Sequence, residues 1–362
     1  MGTKERLVVA KRIIDIASNI DVGRFSSDHW IFFNRGKTVT PSGLVNFRSS
    51  GLSWGLDDVH TLEKLPGLII DVLDRVPVSE LISSLPRQNI GNCAESVLTS
   101  HGYCNGNDLF FCVWLNQLSG LTRGTEKILE IGGGYGGFAR VIIGALPKLV
   151  SYTMVELPLS AMLAAYYLHE STACGIFLND QEIRAGMGQP IVKIYTPNHN
   201  IDRSSGQFDL IINTRSMMEM NLETIAFYFD YINRTLKVGG VFFNINRYVK
   251  ATSGDVVRIC DFPYDDHWDL LHSSRAFRQR KLHCIISKRL DGSSAGDLKS
   301  SLEELAQLPQ SSVSSDTTSV GSELIRIVVR LKGFFLKFVM TVIRIIPSGI
   351  RQKLGRLFLA ME

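Results

Sequence analysis

The sequence predicts an α/β fold built on a doubly wound, mostly parallel sheet with an antiparallel last strand, and three stretches predict it. The first is "KILEIGGGYGGFAR", Lys127 to Arg140, where an apolar run passes through five glycines in six positions into a helix-compatible run. The second is "LKVGGVFFNINRY", in which a helix end meets a Gly239-Gly240 turn and an apolar strand from Val241 to Ile245. The third is the pair "HWDLLHSS" and "KLHCIISKRL", two strand-like runs joined by a short basic connection and suited to antiparallel pairing. Between them the pattern alternates strand and helix, the signature of a parallel sheet covered by crossover helices.

In chain order, residues 1–120 read as a mixed segment with helical stretches, placed to cover a substrate. The opening has apolar residues at Val9, Ile13, Ile16 and Ile20, which is helical spacing, and Lys11, Arg12 and Asp15 break any signal-peptide core, so it reads as a surface helix. Asp28 to Asp58 is rich in glycine, serine and aromatics and reads as a long functional loop. Trp30, Phe47, Arg48 and Trp54 are its residues able to reach a ligand, and the same aromatics could equally pack the loop onto the core. Residues 121–290 carry the α/β body. After the glycine turn come a helix over Phe138 to Leu146, a strand at Tyr152 to Glu156, an apolar helix, strands at Ile191 to Tyr195 and Phe208 to Asn213, and a helix over Leu222 to Leu236 with Asn221 as its N-cap.

The remaining chain differs in composition. Residues 291–321 are dominated by Ser, Asp, Gly and Thr, which is linker chemistry with at most one short helix capped by Ser301 and Glu304. Residues 322–362 form a basic tail, with eight Lys or Arg between Ile325 and Met361 and no acid. Without these and Glu362 the chain holds 31 basic and 34 acidic residues, so the body is mildly acidic and a nucleic-acid-binding body is disfavoured. Arg326, Arg330, Lys337 and Arg344 fall on one stripe of a helix otherwise largely apolar. Burying that stripe at membrane depth is costly, so the tail reads as an amphipathic helix on an anionic membrane surface, or docked on protein. Six cysteines without C-x-x-C or paired His spacing suggest neither a zinc site nor a disulfide framework, and a cytoplasmic setting, at most peripheral on the inner membrane face, is expected.

The glycine turn is where ligand chemistry is expected, because its backbone must adopt dihedrals a Cβ forbids and approach a ligand directly. Gly132, Gly134 and Gly137 satisfy G-x-G-x-x-G, and Glu156 follows about 20 residues on, where an acid can take ribose hydroxyls. On spacing alone a dinucleotide survives. Glu130, two residues before the first glycine, tilts the balance, since a carboxylate there would repel a pyrophosphate. In that place it resembles the E/D-x-G-x-G turn of class I S-adenosylmethionine-dependent methyltransferases, a Rossmann-like fold, and the L-K-x-G-G step resembles their fifth strand.

A narrower resemblance rests on "ILEIGGGYGGFARVI", "YTMVELPLSAMLAAYYL", "FDLIINTRSMMEM", "FFNINR", "DFPYDDHW" and "LVNFR". Over roughly residues 25–290 these look like the bacterial sugar O-methyltransferases found among polysaccharide and lipopolysaccharide biosynthesis genes. The resemblance implies S-adenosyl-L-methionine as cofactor, held by Glu130, Gly132, Gly134, Gly136 and Glu156. Gly133, Tyr135, Leu157 and Asn213, also at strand ends, complete the expected cofactor set. Glu219 is the first expected general base, with Arg215 beside it and His267 the second candidate; each has an ordinary structural role as its alternative. Arg48, Asn246, Arg247, Tyr248, Tyr264, Asp266 and Trp268 are the expected acceptor contacts, flat rings beside polar groups being what a pyranose requires. No metal site is expected. The resulting expectation is methylation of a sugar hydroxyl on a nucleotide sugar or lipid-linked glycan. Its rivals are a nicotinamide-dependent sugar oxidoreductase and a non-catalytic scaffold of glycan assembly.

Overall fold

The computed structural model describes residues 3–18, 38–40, 43–45, 47–48 and 65–308, save 94, 187–189, 198, 200–204, 253–254 and 295. Trp30, Trp54 and the whole tail 322–362 therefore lie outside the described residues.

The chain enters through α1 (Thr3–Ser18), a short β1 (Thr38–Thr40) and β2 (Gly43–Val45) hairpin, α2 (Leu65–Leu73), α3 (Val78–Ser84), the β3 (Val97–Leu98) and β4 (Tyr103–Cys104) pair, and α4 (Gly106–Leu118). Asn105 caps α4 by accepting from the Asp108 amide at 3.0 Å. The α/β body follows as β5 (Lys127–Ile131), α5 (Gly137–Ala145), β6 (Ser151–Val155), α6 (Pro158–Ser171), β7 (Gly175–Leu178), β8 (Gln181–Arg184), β9 (Ile191–Tyr195), β10 (Phe208–Thr214), α7 (Leu222–Thr235) and β11 (Leu236–Arg247). It closes with β12 (Val249–Thr252), β13 (Asp255–Arg258), β14 (Trp268–Arg275), β15 (Leu282–Arg289) and α8 (Asp297–Gln307).

Nine strands form the central sheet in the order β14-β15-β11-β10-β5-β6-β9-β7-β8. The pairs from β11 through β10, β5, β6 and β9 to β7 are parallel, while β15 runs antiparallel to both β11 and β14. The sheet is doubly wound, as the sequence predicts, with its reversed last strand inserted inside the edge. The order reverses between β5 and β10, and an open sheet of this kind receives ligands outside the carboxyl ends of the strands at that point. The β7-β8 hairpin that extends the far edge is an addition the sequence pattern did not reveal, since both strands are only four residues long.

Two apolar layers cover the sheet. One gathers α1, α4, α5 and α6 around Trp114, Phe138, Tyr152 and Tyr167, and the other gathers α7 and α8 around Phe229, Phe242 and Trp268. α1 is not a surface helix standing apart: Ala10 and Ile13 are fully buried, it packs on α6, and Arg6 pairs with Glu170 at 2.8 Å. The body does not stop near Leu290 either. α8 begins at Asp297, four residues before Ser301, and buries Leu298 against the second layer, while the Ser301 and Ser273 hydroxyls lie 2.8 Å apart. A serine-rich composition concealed a docked helix because one leucine face suffices for docking.

Candidate functional site

The carboxyl ends of β5, β6, β10 and β11 open onto a cavity. Its floor is the turn Gly132–Gly134 with Glu130 below and Glu156 beside it; Thr214 ends β10, Arg215, Ser216, Met218 and Glu219 follow it, and Arg247 and Lys250 come from β11 and β12. Asn107 and Phe111 of α4 and the rings of Tyr135 and Phe138 form the remaining wall.

The turn explains its own glycines at two positions. Gly132 takes φ +73°, and a Cβ there would collide with Ser216 Oγ; at Gly133 a Cβ would lie 2.6 Å from Glu130 Cδ and 2.8 Å from Met154 Cε. Glu130 is almost wholly buried, and its Oε2 accepts from the Tyr152 hydroxyl at 2.8 Å. Its Oε1, equally buried, has no hydrogen-bond partner. Burial pushes this carboxyl up to about 7, partly offset by the Tyr152 hydrogen bond and reinforced by nearby Glu156. Glu156 is fixed differently: Oε2 accepts from the Gly134 amide and Oε1 from the Leu157 amide, each at 2.7 Å. Leu157 thus acts through its amide at the start of α6, and Gly136, at φ +84°, starts α5. Neither lines the cavity.

Asn213 and Asn246 also lie below the cavity surface. Asn213 Nδ2 donates to Ile131 O at 2.8 Å and to Ser216 Oγ at 2.5 Å, and its Oδ1 accepts from Asn246 Nδ2 at 2.8 Å. Asn246 Oδ1 in turn accepts from the Met218 amide at 3.0 Å. These two amides tie the loop after β10 to the ends of β5 and β11, so their part is to place Arg215, Ser216 and Glu219. Lys250 forms an ion pair with Glu219 within this wall.

Several expected contacts are placed elsewhere. Arg48 is buried below the cavity: Nη1 donates to Ile90 O at 3.2 Å, Nη2 stands 3.5 Å from Asp108 Oδ2, and the guanidinium lies 5.2 Å from the Tyr135 ring centroid. It supports Tyr135 and does not reach the cavity. Tyr248 is buried with its hydroxyl 2.9 Å from His283 Nδ1. The "DFPYDDHW" run is the larger correction. Tyr264 packs partly buried against Phe229, its hydroxyl accepting from Asn244 at 2.9 Å, and Trp268 is buried with its indole N–H on Asn233 at 3.2 Å. His267 and Asp266 form an exposed pair at 3.5 Å. Trp268 is in register with Arg289, and the adjacent Lys288 with Val241, which itself pairs with Leu210 near the start of β10, so this segment lies at the amino end of the sheet, opposite the cavity. After the β12-β13 hairpin the chain descends one face of the sheet to begin β14, which no local pattern reveals. His267, Asp266, Tyr264 and Trp268 therefore lie away from the cavity.

Asn107, Phe111 and Lys250 are cavity residues that sequence reading missed. Asn107 and Phe111 share a helix face four residues apart, but nothing local links that face to a turn more than twenty positions on. Lys250 is closer to legible, three residues past Arg247 on the same exit from β11. Among the described residues no cluster of metal-binding side chains occurs, and all six cysteines are free.

No family model matches the sequence, and no curated protein matches it. Similar solved structures include a geranyl diphosphate methyltransferase in complex with SAM, 11% identical over 51% of this chain and 88% of that one, with a TM-score of 0.35. A candidate sarcosine dimethylglycine methyltransferase from Galdieria sulphuraria is 13% identical over 49% and 84%, with a TM-score of 0.37. A candidate methyltransferase, yhhF, from Escherichia coli is 11% identical over 52% and 89%, with a TM-score of 0.36.

Proposed function

We propose that this protein is an S-adenosylmethionine-dependent methyltransferase acting on a sugar hydroxyl. The observation that carries the reading is the pair of carboxylates at adjacent strand ends: Glu130, buried under the glycine turn with Oε1 unpartnered, and Glu156, fixed by two backbone amides at the rim. A buried carboxyl oxygen without a partner is costly unless a ligand uses it, and a cationic ligand is the one that such a group favours. The residues present fit the cofactor on that ground. Glu130 would face its cationic methionyl portion, Gly132–Gly134 would admit it to the backbone, and Glu156 would take the ribose hydroxyls. When bound, the cofactor supplies an electrophilic methyl group.

The chain's own residues have the remaining work. A sugar hydroxyl is too weakly acidic to ionise at neutral pH and must lose its proton to a positioned base. Glu219, in the cavity wall and paired with Lys250, is the proposed base. Arg215, across the same loop, orients the acceptor, and Asn107 and Phe111 of the N-terminal segment help to exclude water. The sugar itself is supported by the sequence resemblance, now without its "DFPYDDHW" portion. Residues 322–362 are proposed to hold the enzyme on an anionic membrane surface.

Calorimetric titration with S-adenosylhomocysteine and with NAD tests the reading. Binding of the former, abolished in Glu156→Ala, is expected; binding of NAD alone would overturn it, since a pyrophosphate on this turn would sit over Glu130. Mass spectrometry of glycans from cells with and without the gene, seeking the loss of one methylene, tests the acceptor class.

A further inference from the structure

The charges around the cavity are sorted by strand. Both carboxylates of the β5/β6 side, Glu130 and Glu156, flank the glycine turn, whereas the β10/β11 side presents Arg215, Arg247 and Lys250 against a single acid, Glu219. Arg215 is unusual in its backbone, with φ +61°, a left-handed conformation in which a long side chain is uncommon and which tends to persist where structure over-determines it. Here its amide donates to Ile245 O at 2.7 Å, and its guanidinium lies 5.1 Å from the ring centroid of the buried Trp114. The strained residue is thereby aimed from the end of β10 across the cavity wall toward α4. Arg247 approaches from the end of the neighbouring strand and lines the same cavity.

We propose that the β10/β11 side of the cavity is a subsite for a phosphate or pyrophosphate group carried by the acceptor, with Arg215 and Arg247 supplying two guanidinium forks and Lys250 a point charge. That the anion belongs to a methyl acceptor rests on the methyltransferase reading; the anion subsite itself does not. Guanidinium forks suit phosphate oxygens bidentately. Arg215 and Arg247 reach the cavity from the ends of two neighbouring strands, and a pyrophosphate, with several anionic oxygens over a longer span, can meet both. The sorting of charge also separates the two ligands: an anion is repelled by Glu130 and Glu156 from the glycine turn, and a cationic partner is repelled from the arginine side. Each end of the cavity therefore selects the ligand that the other rejects, and orients the acceptor so that its uncharged sugar lies between.

The test is calorimetry on the full chain with inorganic pyrophosphate at fixed ionic strength, with and without saturating S-adenosylhomocysteine. Pyrophosphate is expected to bind in both conditions. R215Q and R247Q are each expected to weaken it about tenfold, with S-adenosylhomocysteine affinity unchanged as the check on folding, and R247K, which keeps charge but loses the fork, should fall between. Unchanged pyrophosphate affinity in the R215Q/R247Q double variant would overturn the proposal, as would displacement of pyrophosphate by S-adenosylhomocysteine, which would put the anion on the glycine turn. Should S-adenosylhomocysteine fail to bind while pyrophosphate binding still depends on the arginines, the methyltransferase reading falls and the anion subsite stands. Uridine diphosphate and farnesyl diphosphate identify the source. Tighter binding of the first assigns a nucleotide-borne phosphate, tighter binding of the second a lipid-borne one, and equal affinity for all three probes means that the phosphate alone is read; each supports the subsite.

Discussion

The Tyr152 hydroxyl donates a 2.8 Å hydrogen bond to Glu130 Oε2 across the β5-β6 step, deep beneath the glycine turn. Glu130 is registered opposite Met154 and Tyr152 opposite Ile128, so the tyrosine reaches the carboxylate diagonally along the sheet face. It is the group that favours ionisation of an acid which burial otherwise holds neutral. Tyr152→Phe removes that bond, raises the Glu130 carboxyl further and leaves a smaller fraction ionised at pH 7. A hydrogen bond to a charged group contributes about 1.5–3 kcal/mol, so affinity for S-adenosylmethionine should fall about tenfold at pH 7. The loss should shrink as pH rises, because the carboxylate then forms without help. A binding titration across pH 6–9 on both proteins checks this; a loss independent of pH would point to packing instead.

Glu130 also predicts how stability varies with pH. Its carboxyl stands at about 7 in the folded chain against an ordinary value of 4.5, so between those values the folded state holds a proton that the unfolded state has released. The contribution is fully present below 4.5 and is lost as pH rises through 7. By linkage the wild-type chain should lose about 2–3 kcal/mol between pH 5 and pH 8 relative to Glu130→Gln, which has no proton to lose there. Urea midpoints at the two pH values measure it. The variant should be the more stable of the two at pH 8 while failing to bind S-adenosylmethionine, which sets the cost of the site against its use.

The central sheet was legible because each of its long strands announces itself locally. Lys127–Ile131, Ser151–Val155 and Phe208–Thr214 are apolar runs bounded by turn residues, and Asn221 marks the start of α7, where it accepts from the Thr224 amide at 2.8 Å. The cofactor side of the cavity was legible for the same reason, since Glu130 and Glu156 are fixed by strand ends. The opposite side was legible only in part: the expected Arg215, Glu219 and Arg247 line the cavity, and the other expected contacts there do not. His267 and Trp268 carry the residue types of a sugar site, but the descent of residues 259–267 along the sheet puts them at its amino end, a non-local fact. Asn107 and Phe111 reach the cavity from α4 through tertiary packing alone. Arg48 is an aromatic-rich-loop cation whose partners, Asp108 and Tyr135, lie 60 and 87 positions away, and only the fold shows that it faces inward.

Gly133 separates binding from stability. A methyl there meets the end of Glu130 and Met154 Cε at 2.8 Å, with no left-handed backbone to add strain, because Gly133 is not among the positive-φ glycines. Gly133→Ala should therefore displace the Glu130 carboxylate, cost about 1–3 kcal/mol of stability as overpacking, and abolish detectable cofactor binding. Gly134→Ala meets no neighbour within 4 Å but sits at φ +59°, so its penalty should be backbone strain of about 1 kcal/mol. Urea denaturation beside cofactor calorimetry on the pair distinguishes the two mechanisms.

The basic tail makes a prediction that the docked α8 refines. Truncation at Leu290 would remove α8 with its buried Leu298 and confuse folding with binding, whereas a chain ending at Leu308 keeps every described residue. If residues 322–362 bind an anionic surface, the chain ending at Leu308 should fail to float with phosphatidylserine vesicles while the full chain floats. Each basic residue near such a surface contributes about 1 kcal/mol at physiological salt, so raised salt should also release the full chain. Flotation of both chains alike would refute the membrane role, and S-adenosylhomocysteine affinity should be equal in the two.

Asp108 ties the N-terminal segment to α5 and should be a costly position to change. It is fully buried at the first turn of α4, 3.5 Å from both the Arg48 and the Arg140 guanidinium groups, which belong to the loop after β2 and to α5. Arg140 is further tied to Ser84 O at 2.6 Å and to the Tyr167 hydroxyl at 3.0 Å. Removing the one carboxylate between two buried cations leaves both uncompensated, and breaking such a pair typically costs about 3–5 kcal/mol. Asp108→Asn keeps the shape and loses the charge, so its urea midpoint should fall by that amount. Because Arg48 supports Tyr135 in the cavity wall, the same variant should also weaken S-adenosylhomocysteine binding, whereas Arg289→Ala, at the opposite end of the sheet beside Trp268, should leave binding untouched. Equal binding loss in both variants would mean that the cavity responds to stability alone and not to the support that Arg48 gives it.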